Sequence, residues 1–296
     1  MSIAILIKKY KPLVSVIIPS LDGYRNGNVP KLIEAIKGQT FHDLEVILVK
    51  GVMPCARAHN AGVNYATGKI IVFFDDDIIL GHDHIIENLI APFAAHQAIG
   101  ITGASQLLPP DANRFQKRCN KEFDRFQFPV INEMIESDMA THAAMAIRKN
   151  VFMKAGQENV NLIYGDDPEF RARLRQAGYK IVVVPQTWIY HPPPKNLISF
   201  LRISFQRGKG AAHDFLNYPD LIYETPPANA KTFVSHRSFL YRVLRAIIQN
   251  IEATLKLKLI FLSVRISYEI GYGLGLLREI FRSQSVSTKD GSTSGK

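Results

Sequence analysis

The sequence predicts an α/β fold: a doubly wound, mainly parallel sheet with a helical extension at its C-terminal end. Three observations carry that expectation. Short apolar, β-branched runs at residues 13–19, 44–49 and 69–74 read as strands buried on both faces. Helix-like segments at 29–36, 57–66 and 84–96 alternate with them, which is the rhythm of parallel βαβ units. Three aspartates, Asp75, Asp76 and Asp77, follow the third run directly, and ligands of such sheets bind beyond the carboxyl ends of the strands.

Each element has its own signal. The run LVSVIIP at 13–19 ends in a turn cluster rich in Gly, Asn and Asp, and Pro30 suits the first turn of the helix at 29–36. Gly68 stops the small-residue-rich helix at 57–66. The strand at 69–74, KIIVFF, leads into the aspartates, and the helix at 84–96 precedes a fourth strand near 99–102. Residues 105–138 mix Phe115, Phe123, Phe126 and Phe128 with charges and read as loops and short elements covering a site. A further strand is expected at 141–147, a helix closed by Gly178 at 167–177, and a strand at 180–184 stopped by Pro185. Three prolines after His191 mark a boundary, with helices beyond it at 197–205 and over 235–281. The expected domains are an N-terminal extension at 1–12, a catalytic α/β domain at 13–225, a helical region at 232–282 and a disordered tail at 283–296, rich in Ser, Thr, Gly and Lys.

Composition narrows the function. A hydrophobic fraction of 47% with 21% charged residues excludes wholesale disorder. The 36 Lys and Arg against 26 Asp and Glu leave a net charge of +10, which calls for an anionic partner: nucleic acid, a phosphate-bearing small molecule or a membrane surface. Two cysteines, Cys55 and Cys119, exclude a disulfide framework and a Cys-rich zinc site. The apolar run at residues 3–7 is short for a signal peptide, and its lysines follow it. No uninterrupted apolar stretch reaches the ~18 residues of a membrane span, so a cytoplasmic chain without a transmembrane helix is expected.

The chemistry concentrates in two acidic clusters. Crowded carboxylates raise one another's pKa unless a cation neutralises them. Asp75 and Asp77, two residues apart, can converge on one ion, and hard oxygen ligands suit Mg²⁺ or Mn²⁺ holding a diphosphate. The alternative is a helix N-terminus decorated with acids. In Gly165-Asp166-Asp167-Pro168-Glu169, Asp166 reads as a helix cap, or the pair supplies a general base. His191 is either a structural hydrogen-bonder or a ligand on the same face.

Taken in order, VSVIIPS (14–20), QTF (39–41), LEVILV (44–49), ARAHNAG (56–62), ATG (66–68), FFDDD (73–77), GDD (165–167), RL (173–174), GYK (178–180), VP (184–185) and His191 resemble the inverting family 2 glycosyltransferases of the GT-A fold, over residues 13–194. The resemblance implies transfer of a sugar from a nucleotide-sugar donor to a glycan or lipid-linked acceptor, in polysaccharide, glycolipid or cell-envelope synthesis. It implies that Asp75 and Asp77 hold Mg²⁺ or Mn²⁺, with His191 completing the metal site. Asp167 is then the base, and Asp166, standing where the family usually carries Glu, contacts the acceptor with Arg173. Pro19, Ser20, Asp22, Arg57, Asn60, Asp75 and Asp76 line the donor. One departure stands out: relatives carry an Asp for the uracil ring where this chain has Lys50-Gly51. Lysine cannot accept the base N–H, so the donor nucleotide stays open.

The C-terminal part lies outside the resemblance. Arg237, Arg242, Arg245, Lys256, Lys258, Arg265, Arg278 and Arg282 alternate there with apolar residues such as Leu255, Ile260, Phe261 and Val264, against Glu252, Glu269 and Glu279. A basic, apolar helical pair reads as a peripheral anchor at the inner face of a membrane, or as helices packed on the catalytic domain or on a second copy in a homo-oligomer. Gly271, Gly273 and Gly275 read as loosening the last helix. Rival classes fit less well. A dehalogenase-type phosphoryl-transfer motif usually follows the first strand. A nucleotidyltransferase would carry a Gly-rich basic loop after strand one, which Arg25 between Gly23 and Gly27 matches faintly. A nucleic-acid module needs a contiguous basic face, whereas the charge sits on apolar C-terminal segments, so nucleic acid is not an expected partner.

Overall fold

The computed structural model describes residues 2–228 and 232–290, the side chains of residues 239 and 282–290 excepted. It contains two compact units. The first takes the residues through Val160, then Asp166–Pro193 and Tyr223–Ser235; the second takes Asn161–Gly165, Pro194–Ile222 and the residues from His236 on.

The elements of the first unit follow in the order β1 (Ser2–Ile7), β2 (Val14–Ser20), α1 (Asn28–Lys37), β3 (Leu44–Lys50), α2 (Cys55–Tyr65), β4 (Ile70–Phe74), β5 (Ile79–Leu80), α3 (Ile85–Ile90), α4 (Pro92–Ala95), β6 (Ile99–Leu107), α5 (Arg114–Glu122), β7 (Ile135–Glu136), β8 (Ala144–Arg148), α6 (Lys149–Lys154), α7 (Asp166–Gln176) and β9 (Lys180–Tyr190). The strands form one sheet in the order β1-β3-β2-β4-β8-β6-β9-β5, with β7 also on β9. β2 is parallel to β3 and β4, and β6 is parallel to β9. β8 runs against both of its neighbours, β4 and β6. Strands β3, β2, β4, β6 and β9 therefore point one way, and the sheet is mainly parallel as expected.

Alternation along β2 explains its unbroken apolar run. Val14, Val16 and Ile18 pack on one face with Leu32 and Ile36 of α1 and with Ile85, Ile86 and Leu89 of α3. Ile17 turns to the other face, with Ala58 and Val63 of α2, Val151 and Phe152 of α6, and Phe170 and Leu174 of α7. Helices on both faces leave no strand position for water, so period-two polarity disappears.

Several elements differ from the sequence expectation, each for a visible reason. The extension at 1–12 contains β1, which pairs antiparallel with β3 from Ser2↔Lys50 to Ile7↔Val46. The helix at 84–96 is two, because Pro92 begins α4 after α3 has ended. Residues 105–138, expected as loops and short elements, contain the nine-residue α5, started by a capping box in which Asn113 and Gln116 satisfy each other's backbone N–H groups. β9 continues through Pro185, since the proline sits where the register against β6 shifts between Gly103 and Ser105, at a bulge that needs no ladder N–H.

The second unit holds α8 (Leu197–Asn217), α9 (Phe239–Leu255) and α10 (Leu259–Asp290). Its boundary falls within the proline run, and α8 is grouped with the C-terminal helices rather than with the 13–225 segment. The glycines of α10 have a packing role that the sequence did not suggest. A Cβ on Gly271 would lie 2.1 Å from the Phe205 carbonyl, and one on Gly208 2.1 Å from the Tyr268 carbonyl, so α8 and α10 approach backbone to backbone. Gly273 has open space instead. Leu259–Phe281, 23 residues containing an 18-residue stretch of mean hydropathy 1.2, is long and apolar enough to cross a membrane by length and composition alone, although charged residues interrupt it. Of the tail expected to be disordered at 283–296, residues 283–290 instead continue α10, and those from 291 on lie outside the described residues.

Candidate functional site

β4 delivers its last residues to the carboxyl end of the parallel strands, where the main chain turns through Asp75, Asp76 and Asp77. One ligand atom each from Asp75, Asp77 and His191 lies within 4.8 Å of the others, and His191 Nε2 is 3.3 Å from Asp77 Oδ1. His191 arrives from the end of β9, where its backbone N–H donates to the Leu107 carbonyl at 3.0 Å. Asp76 faces the other way: the Ser20 hydroxyl at the end of β2 donates to its Oδ2 at 2.6 Å, and Asn28 donates to its backbone carbonyl at 2.9 Å.

A cation already addresses this cluster. Arg25 lies 2.5 Å from Asp77 Oδ2 through Nη2 and 3.3 Å from Asp76 Oδ1 through Nε. It is carried by a left-handed turn, Arg25 and Asn26 both having positive φ before Gly27. Asp22 builds that turn by accepting the N–H groups of Tyr24 and Arg25, each at 2.8 Å. Burial, then the neighbouring Asp77, pushes the Asp75 carboxyl above its ordinary value. Burial would do the same to Asp77, but His191 and then Arg25 outweigh it and hold that carboxyl well below the usual range.

The second acidic cluster opens α7. Asp166 is buried, and its carboxyl is pushed up to about 6 by burial first and by the Glu158 carboxylate next. Asp167 is partly exposed and held from two sides, with Arg171 Nη2 3.3 Å from Oδ2 and His142 Nδ1 3.6 Å from Oδ1. Behind it lies a group the sequence reading did not single out: His59, His142 and Glu158, all buried, with ligand-type atoms within 4.8 Å of one another. The two imidazole rings sit 4.6 Å apart, and His59 also packs edge-on against Phe73 of β4. Both acidic clusters feel this pair, since the charges on His59 and His142 act on Asp75 and on Asp166 alike.

The other expected site residues divide. Pro19 and Ser20 are buried at the end of β2, and Arg57 is exposed on α2. Asn60 clamps the main chain of Glu158, donating to its carbonyl at 2.8 Å and accepting its N–H at 3.0 Å. Arg173 is committed to Glu169 and to the carbonyls of Ala155 and Gln157. Arg25, His142 and Glu158 were the residues missed. Glu158 gave no signal, as a lone acid in a loop. His142 was embedded in a strand-like run, and Arg25 was visible only as a basic residue between two glycines.

In the second unit, Asp214 of α8 is buried and accepts the N–H groups of Ile163, Tyr164 and Gly165, the residues that lead into Asp166 along the chain. On α9 the apolar residues Leu240, Leu244, Ile247, Ile248, Ile251 and Leu255 are all exposed, at helical spacing.

The sequence matches the family model described as Glycosyltransferase like family 2 over residues 10–208. No curated protein matches it significantly. Among solved structures it is similar to the mannosyltransferase PcManGT from Pyrobaculum calidifontis in complex with GDP-Man and Mn²⁺, with a TM-score of 0.54 and 15% identity over 90% of this chain and 88% of that one. GalNAc-T7 with UDP, GalNAc and Mn²⁺ aligns with a TM-score of 0.48 and 14% identity, over 71% of this chain and 52% of that one.

Proposed function

We propose, because this chain belongs to the glycosyltransferase like family 2 and has the GT-A fold, that it moves a sugar from a nucleotide-sugar donor to an acceptor hydroxyl with inversion at the anomeric carbon. The observation that carries this reading is the convergence of Asp75, Asp77 and His191 at the carboxyl end of β4, with both buried histidines acting on Asp75 and Asp166 and with Asp167 beside His142. Two carboxylates supply hard oxygen ligands for Mg²⁺ or Mn²⁺, and the imidazole within 4.8 Å of them adds a borderline nitrogen that favours Mn²⁺ of the two. Such an ion, when bound, would supply charge neutralisation for the departing diphosphate.

The chain's own residues supply the rest. Asp167 removes the proton from the acceptor hydroxyl as its oxygen forms the new bond to the anomeric carbon. The bond from that carbon to the diphosphate breaks on the opposite face, so one base suffices and configuration inverts. Arg25, paired with Asp76 and Asp77, is placed to meet the donor phosphates. PcManGT, in complex with GDP-Man, makes GDP-mannose the first donor to try, and Lys50 at the end of β3 is compatible with a nucleotide other than uridine.

Binding is tested by a thermal-shift screen of UDP-, GDP-, dTDP- and CMP-sugars with Mn²⁺, and the base by Asp167→Asn. The substitution is expected to lower turnover by about 10²- to 10⁴-fold while donor binding persists. Turnover near the wild-type rate would refute the assignment.

The acceptor is proposed to be lipid-linked or part of an exported glycan, with the chain held at the inner face of a membrane. Supporting this, the exposed apolar stripe of α9 is bordered by Arg237, Arg242, Arg245, Lys256 and Lys258. Vesicle flotation checks it: Ile247→Asp with Ile251→Asp should abolish binding to vesicles containing phosphatidylglycerol, and equal binding to pure phosphatidylcholine would remove the charge argument.

A further inference from the structure

Glu158 has no exposed side-chain surface, yet it carries a carboxylate surrounded by imidazoles. Its Oε2 lies 2.9 Å from His59 Nδ1 and its Oε1 lies 2.7 Å from His142 Nε2. A carboxylate only accepts, so His59 donates to it from Nδ1, while His142 Nε2 meets it as a close ion-pair contact rather than an aligned hydrogen bond. The His142 ring thus lies with Nε2 toward Glu158 and Nδ1 toward Asp167 Oδ1, 3.6 Å away. The line runs outward from the core, from His59 and Glu158, which have no exposed side-chain surface, through His142 at 10% exposure to Asp167 at 24%. The far oxygen of Asp167 is addressed by Arg171 at 3.3 Å, and Arg171 is itself buried. Both oxygens of one carboxylate are thus met by groups whose own orientation is fixed from behind.

Stability accounts poorly for such a cluster. Buried ion pairs stabilise little or not at all relative to apolar residues of similar volume. His142 Nε2, Glu158 Oε1 and Asp167 Oδ1 are moreover buried without a well-aligned hydrogen bond, three such atoms gathered in one contiguous cluster. Alignments of this kind tighten in many enzymes only when substrate is bound. Burial opposes charge on His142, but Glu158 and then Asp167 raise its imidazole above the ordinary value. A second divalent-metal site is the competing use of His59, His142 and Glu158. The direct contacts of 2.7 and 2.9 Å argue against it, because groups sharing a metal at ~2.1 Å sit roughly 3–3.5 Å apart.

We infer that His142, oriented by Glu158 with His59 as the lock, is the positioning residue for Asp167, setting the direction in which that carboxylate meets the acceptor hydroxyl. The inference rests on Asp167 being the base, and the test separates the two claims. His142→Ala, His142→Gln, Glu158→Gln and Asp167→Asn are assayed for nucleoside diphosphate release with Mn²⁺ and with water as the acceptor hydroxyl, first from a mixture of UDP-glucose, UDP-GlcNAc, GDP-mannose and dTDP-rhamnose and then, for kcat and KM, from the donor that is consumed. Histidine ring nitrogens are followed by nitrogen-15 NMR on the ligand-free full chain. His142→Ala and Glu158→Gln are expected to lower kcat on the order of 10- to 100-fold with donor KM little changed, and His142→Gln to recover part of the loss. Asp167→Asn and Glu158→Gln should each move the His142 ring resonances. Folded His142 and Glu158 variants with wild-type turnover, beside an inactive Asp167→Asn, would overturn the positioning role and leave the base intact. Asp167→Asn with full turnover would overturn the base instead. His142 resonances unmoved by Asp167→Asn, or one tightly held zinc per chain after chelator dialysis, would also overturn the inference. If His142→Ala fails to fold, His142→Gln and the NMR comparison decide.

Discussion

Asp77 and Glu158 are both carboxylates held below their ordinary range by histidine, yet they sit in opposite circumstances. Asp77 keeps 31% of its side chain exposed, and its partners are His191 at a strand end and Arg25 on a turn. Glu158 exposes none of its side chain and is fixed between two buried rings, with its main chain clamped by Asn60. A partly exposed carboxylate can exchange one cation for another at little cost, because water covers the interval. A buried one cannot, since an unpaired charge there loses several kcal/mol of solvation. The first is therefore suited to receiving an ion and its diphosphate, and the second to holding other groups still.

The hardest way to break that contrast is to remove the buried partner. Glu158→Ala would leave His59 and His142 without their shared anion, and is expected to destabilise the fold by about 3–5 kcal/mol. Thermal unfolding of the purified chain measures it. A loss below ~1 kcal/mol, the size of an exposed ion pair, would mean that water reaches the cluster and that the two regions are not different in kind.

The same contrast explains what could be read from the sequence. The acidic triplet was legible because a continuous apolar strand placed it, and local chain geometry alone brings Asp75 and Asp77 together. His191 was legible only in part, its approach to Asp77 depending on β9 running on through a bulge that hides behind Pro185. Glu158 was not legible at all. It meets His59 and His142 across wide separations in sequence, and nothing in its neighbours marks it as buried. The glycines of α10 show the limit from the other side, since only the position of α8 tells a helix-packing glycine from a loosening one.

A middle-sized effect belongs to Asp166, which lies next to the base but on the buried side of the contrast. Its folded carboxyl titrates at about 6, against an ordinary value of 3.8. The folded chain therefore binds this proton more tightly than the unfolded chain. Its stability should fall as pH rises from about 4 through 6, with the full cost present above that window. Two pKa units correspond to about 3 kcal/mol, so Asp166→Asn is expected to be more stable than the parent by up to that amount at pH 8 and equal to it at pH 4. Urea denaturation at the two pH values checks the sign, and a variant less stable at pH 8 would show that the carboxylate is stabilised in place.

The smallest effect tests whether the exposed region really exchanges its partner. Arg25 is about half exposed and pairs with Asp77 at 2.5 Å, on the carboxylate proposed to take the metal. An exposed pair of this type is worth roughly 0.2–1 kcal/mol after solvent screening. If Arg25 merely holds the place of an ion, Arg25→Ala should tighten binding of Mn²⁺ alone by up to about fivefold, the factor that 1 kcal/mol allows. The gain should shrink in high salt, where the pair is already weakened. Calorimetric titration of the ligand-free chain reads both effects. Weaker Mn²⁺ binding in Arg25→Ala would carry the opposite lesson, that Arg25 orients Asp77 much as His142 is inferred to orient Asp167. The left-handed turn built by Asp22 would then be part of the metal site rather than its gate.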